Sequence, residues 1–208
     1  MQVSSDQLVA ALVGISFAAG LNVYATLATL GLLSRFGVFP LPPSLHIIAS
    51  WYVIGISLLL FLVEMFADKV PLLDLVWNAL HTFIRVPLAA LVAYQATTTL
   101  SPWGQIIVSI ASAGIALAAH GGKMAVRAAV TPSPEPVSNA ALSVGEDVLA
   151  VSLTWIATKH PFIAAVLALL LVVVVVLFIR WVISSLGALF RGAEREWSHR
   201  TRPGGEHH

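Results

Sequence analysis

Residues Glu64 to Arg85 read EMFADKVPLLDLVWNALHTFIR and gather carboxylates, a lysine, a histidine and an arginine in an otherwise apolar chain. On a helix, Glu64 and Asp68 share one face. From Pro71 onward, Asp74, Asn78, His81 and Arg85 fall at i, i+4, i+7 and i+11 and form a single polar stripe. Leu72, Leu73, Val76, Leu80, Phe83 and Ile84 cover the opposite side. His120, Lys123 and Arg127 recur at i, i+3 and i+7 on a later helix face. Asn139, Ser143, Glu146 and Asp147 make a further stripe, and Asn22 with Tyr24 interrupts the first apolar run.

These residue types define a limited chemistry. The carboxylates Glu64, Asp68 and Glu146 suit a cation or a proton, whereas His120, Lys123 and Arg127 suit an anionic group such as a lipid phosphate. Acidic groups (Glu64, Asp68, Asp74, Glu146, Asp147) nearly balance basic ones (Lys69, Arg85, Lys123, Arg127). Charges at membrane depth face the bundle interior, pair with one another and mark pathways. The expectation is one shielded substrate or ion site built from all of these together with Asn22, Asn78 and His81.

Each set also has a plainer reading. The Asp74–Arg85 stripe could lie on an interfacial helix in water, with Lys69 and Arg85 pairing the carboxylates. Lys123 and Arg127 could snorkel to headgroups. Glu146 and Asp147 could cap a short helix and complement its dipole. Asn22 could make one helix–helix hydrogen bond, on the order of 1 kcal/mol.

The positioning elements follow from composition. The chain has 208 residues, 58% hydrophobic and 10% charged, with mean hydropathy +0.90. A soluble domain keeps roughly a quarter of its residues charged, so the composition points to an integral membrane protein. The net charge is +1, which gives no polyanion-binding character, and nucleic acid is not an expected partner. Cysteine is absent, so disulfides and thiolate metal sites are excluded; other metal binding is left open and no cofactor is expected. No basic n-region precedes the first apolar run, which reads as a retained span.

Apolar runs cover 8–34, 45–67, 86–100, 105–129 and 161–190, with short ones at 71–85 and 148–158. A crossing needs about 20 apolar residues, so the two short runs read as half-span, re-entrant or interfacial helices. At about 1.5 Å per residue, a helix starting at Gln105 must include His120 and Lys123 to cross, and Arg127 lies one turn beyond Lys123 on the same face. The predicted fold is an all-α polytopic membrane helix bundle with about five or six spans and one or two short half-span or interfacial helices. It forms a single transmembrane domain over 1–190, followed by a short polar, disordered tail at 191–208. Arg191, Arg195, Arg200 and Arg202 place that tail in the cytoplasm of a cell whose inner membrane holds the protein.

A loose internal echo, Asp74–Trp77–Pro87 against Asp147–Trp155–Pro161, resembles the paired interrupted segments of transporter repeats. The order of AAGLNVYATLATLGLLSR, EMFADKVPLLD, AAHGGKMAVRAA and SNAALSVGEDVLA resembles the bacterial integral-membrane "domain of unknown function" family 4126. The resemblance extends to about Arg191, with ADK-x-P-x-x-D its most specific part. It implies a compact multi-helix membrane domain and assigns no activity and no catalytic residue.

Three functions fit this reading. The first is a small transporter or channel for an ion, a small polar solute or an anionic lipid. The second is a non-transporting scaffold or complex subunit whose charge cluster is structural. The third, a lipid-modifying enzyme, lacks support from H-E-x-x-H, G-x-S-x-G or glycine-rich phosphate motifs. The expected partners are the lipid bilayer, an ion or small polar solute, and a second copy in a homo-dimer.

Overall fold

The computed structural model describes residues 4–68, 71–130 and 136–201, and their side chains except those of 71–75, 128–130, 136–139, 186 and 188–201. The described elements are all helical: α1 (Ser5–Leu21), α2 (Val23–Arg35), a short 3-10 helix (Pro43–Ala49), α3 (Trp51–Ala67), α4 (Pro71–Ala96), α5 (Pro102–Val130), α6 (Pro136–Lys159) and α7 (Pro161–Thr201). Prolines open α4, α5, α6 and α7, where the missing N–H would have had no helical partner. Four stretches are long and apolar enough to cross a membrane: Val76–Ala96, Pro102–Arg127, Ala140–Lys159 and Pro161–Ser185. The 3-10 helix and α3, bent by 58° at Ser50, together make a fifth candidate.

Three elements differ from the sequence expectation. Pro71–Arg85 is not a separate interfacial helix, because α4 runs unbroken from Pro71 to Ala96 with Pro87 inside it. A proline within a span is tolerated where neighbouring helices and side chains satisfy the freed backbone. Val148–Thr158 is not a half-span either; α6 begins at Pro136, and Glu146 and Asp147 lie well inside it rather than at its cap. The third difference is the reverse case. The run 8–34 predicts one crossing, yet the chain breaks at Asn22.

That break is built by one side chain. Asn22 is in extended conformation (φ −148°, ψ 102°), its backbone N–H donates to Ala18 O, and its Oδ1 accepts from Ala25 N at 2.9 Å. It therefore ends α1 and caps α2 together. The two helices then fold back on one another. Leu12 and Ile15 of α1 share one narrow apolar seam with Leu27 and Leu30 of α2, closed by Leu88 and Val92 of α4. Ser5 and Leu8, at the start of α1, border the same cavity as Phe39 to Pro43, just after α2, and as Thr98 and Thr99 after α4. Lys159 Nζ reaches Val38 O at 3.4 Å, bringing the end of α6 to this same face. The Asn22 turn is thus carried away from that face into the bundle, where Asn22 is 1% exposed.

Small residues let the turn approach its neighbours. A Cβ on Gly20 would lie 2.3 Å from the backbone oxygen of Ala116, so only glycine fits between α1 and α5 there. Capping at the outer end is conventional: Ser4 and Gln7 exchange side chain to backbone hydrogen bonds as a capping box. At the far end of the chain, α7 continues past the apolar Pro161–Ser185 stretch to Thr201, so the backbone of residues 191–201 is helical.

Candidate functional site

α3 is apolar except near its end, where Glu64 points inward and is 1% exposed; Asp68, just beyond the helix, is also buried. The α4 stripe turns the same way. Asn78, His81 and Arg85 are buried while Val76, Leu80 and Phe83 on the other face are exposed. From α5 come His120, Lys123 and Arg127, all buried, and from α6 come Ser143 and Glu146. Of the sequence-selected residues, Asp74 and the flanking Lys69 and Asn139 have side chains outside the described set.

These side chains form one network. Glu64 Oε1 accepts from Arg85 Nη2 and from Lys123 Nζ, the latter at 3.1 Å. Lys123 Nζ also lies 3.1 Å from Glu146 Oε2 and 3.7 Å from Asp68 Oδ2. Arg127 Nη2 donates to Asp68 Oδ2 at 2.7 Å and to Glu146 Oε2 at 2.9 Å, and Ser143 Oγ donates to Asp68 Oδ2 at 2.7 Å. Taking charges out of water costs several kcal/mol per ion, and only close pairing with further hydrogen bonds compensates it. The arrangement supplies that pairing by making Lys123 and Arg127 bridge carboxylates from two different elements.

The helix break is part of the same assembly. Arg85 Nη1 donates to Leu21 O at 2.9 Å and lies 3.5 Å from Gly20 O. Those carbonyls belong to the last turn of α1, the negative end of its dipole, where a cation is favoured. On the opposite side of the turn, Asn22 Nδ2 donates to Asp147 Oδ1 at 2.8 Å, setting a carboxylate near the positive end of α2. Asn22, a candidate site residue whose plainer reading is a single interhelical hydrogen bond, joins three helices.

Two histidines are fixed by their partners. Arg85 can only donate, so His120 Nδ1, 3.2 Å from Arg85 Nη1, accepts. His120 Nε2 then carries the proton and donates to Thr82 Oγ1 at 2.7 Å, and Thr82 passes its own proton to Asn78 O. His81 is the mirror case. Its Nδ1–H donates to Trp77 O at 2.6 Å, leaving Nε2 to accept from the Tyr24 hydroxyl at 2.8 Å. Trp77 stacks on the His81 ring with centroids 4.3 Å apart. Thr82 escaped the sequence reading because threonine on an apolar helix carries no signal of its own. Tyr24 was visible only as a polar group beside Asn22.

Two buried acceptors, Glu64 Oε2 and Asp68 Oδ1, have no hydrogen-bond partner among the described residues. No group of three or more His, Asp or Glu side chains there has the arrangement of a metal site. The network is reached from the side. A cavity of about 750 Å³ between α1, α5, α6 and α7 has Lys123 and Glu146 on its wall among Phe17, Leu149 and Val175.

A family model described as "Domain of unknown function (DUF4126)" matches residues 9–181, a range that holds every member of this network. No curated protein and no solved structure matches the chain.

Proposed function

The chain belongs to the DUF4126 family, and we propose that it is an integral membrane transport protein in which the α1–α2 break and the ion-pair network form the site for an ion or small polar solute. The observation that carries this reading is the break itself. Interrupted helices place free carbonyls and amides at depth, an arrangement suited to holding a solute or ion between packed helices. Here the break is buried and faces Arg85 and Asp147; Arg85 joins it to Glu64, and Glu64 Oε2 and Asp68 Oδ1 of the same network are acceptors that suit the donors of a polar solute. Because the cations are shared between carboxylates, a solute could replace one partner without stranding the other. The lateral cavity past Lys123 and Glu146 gives a route of entry.

The test is electrical current or flux across proteoliposomes after jumps of pH, sodium, potassium, chloride or phosphate. The wild type is expected to respond to at least one. Asn22→Ala is expected to reduce the response by about tenfold or more, the cost of misplacing a positioned group, with helical content retained. A wild type indistinguishable from empty vesicles under every gradient would overturn the reading.

A second reading, the non-transporting scaffold or complex subunit, draws on the saturation of Lys123, whose ammonium already faces Glu64, Asp68 and Glu146. On that reading substitutions in the network change stability alone.

For orientation, we place the α7 C-terminal end in the cytoplasm, because Arg191, Arg195, Arg200 and Arg202 follow the last span. The face shared by Ser5, Thr99 and Val38 is then external. The absence of cysteine makes this a clean labelling experiment. In intact cells, Thr99→Cys is expected to react with an impermeant maleimide and Ser198→Cys only after permeabilisation; the opposite pattern would reverse the orientation.

A further inference from the structure

Counting the charges of the network singles out one carboxylate. Among the described residues, Glu64, Asp68 and Glu146 pair with Arg85, Lys123 and Arg127 through the ion pairs described above. Asp147 is the supernumerary acid: it makes no ion pair among the described residues, and its hydrogen-bond partner is the neutral amide of Asn22. Glu64, Asp68 and Lys123 act on it from α3 and α5, and the α1–α2 turn contributes Asn22 without a charge. Residues 161–179 of α7 hold no titratable side chain, and Glu146 beside it on α6 faces Lys123 and Arg127. An ionised Asp147 would add a negative charge, offset in part by the N-terminal end of α2, in a partly buried setting beside Glu64 and Asp68, a cost that proton uptake removes.

We propose that Asp147 is a proton-binding site, with the proton on Oδ2 while Oδ1 accepts from Asn22, and that the proton is the coupling ion of the transport site. The assignment of a coupling role rests on the transport reading above; the proton site itself rests on the charge count and the Asn22 contact. Proton release leaves a carboxylate at the N-terminal end of α2, against the cap that holds the break together. Protonation of Asp147 is thereby linked to the one non-helical residue at the centre of the bundle.

Infrared difference spectroscopy of the reconstituted full chain tests this without reference to any solute. The wild type is expected to show a protonated-carboxyl C=O band at mildly acidic pH that disappears on alkaline titration. Asp147→Asn is expected to lose that band and to fold with unchanged stability, since the amide replaces a neutral acid. Asp147→Glu is expected to keep the band at a displaced frequency, which secures the assignment should the asparagine variant fail to fold. A wild-type spectrum without the band, or one left unchanged by both substitutions, overturns the proposal. A band without any flux in vesicles keeps the proton site and removes the transport role; flux without the band does the reverse.

Discussion

Replacing Arg85 with leucine is expected to cost about 3–5 kcal/mol, the penalty for stranding one half of a buried ion pair. Its side chain is 0% exposed and serves three sets of partners together: the Glu64 carboxylate, the carbonyls that end α1, and His120 Nδ1. Leucine fills most of the space yet satisfies none of them. The damage spreads from there. Loss of the cation at the α1 terminus loosens the turn at Asn22, and His120 loses the donor that fixes its tautomer. Unfolding in mixed micelles, followed through tryptophan fluorescence, measures the loss. A change within about 0.5 kcal/mol of wild type, typical of a surface position, would show that Arg85 reaches water or headgroups instead.

The second large effect is expected at Lys123. Its ammonium bridges Glu64, Glu146 and Asp68, so Lys123→Met leaves those carboxylates with Arg85 and Arg127 as their cations among the described residues. The expected loss is again about 3–5 kcal/mol. Adding Glu146→Gln removes the surplus charge and should restore about 1–2 kcal/mol, within the range seen for groups that share a network. If the double variant is as unstable as the sum of the singles, Lys123 and Glu146 do not interact.

Both effects come from residues whose clustering could be read in the sequence, and the reason is physical. In a chain this apolar, polar residues at i, i+3 and i+7 turn either to water or into the bundle, and Asn78, His81 and Arg85 take the inward arrangement, where partners from other helices compensate their burial. The length needed to cross likewise puts His120 and Lys123 on one helix, and α5 also carries Arg127 one turn on. What misled was local chemistry whose outcome is decided by distant partners. Pro87 reads as a helix start, yet α4 passes through it. Of the two readings open for Glu146 and Asp147, the helix cap fails, because Lys123, Arg127 and Asn22 neutralise or bind them in mid-helix. The break at Asn22 was the least legible feature. The flanking residues of LNVYATL give no proline or paired glycine at that point, and the turn depends on Asp147 and Arg85, far along the chain.

The convergence of distant charged residues in one shielded network is tested most directly by a double-mutant cycle between Glu64 and Arg85, using Glu64→Gln, Arg85→Leu and the pair in equilibrium unfolding. Direct contact predicts a coupling energy of about 1–3 kcal/mol, with the double variant more stable than the sum of its parts. Additivity to within about 0.5 kcal/mol would contradict it, because that is how side chains behave when they do not meet.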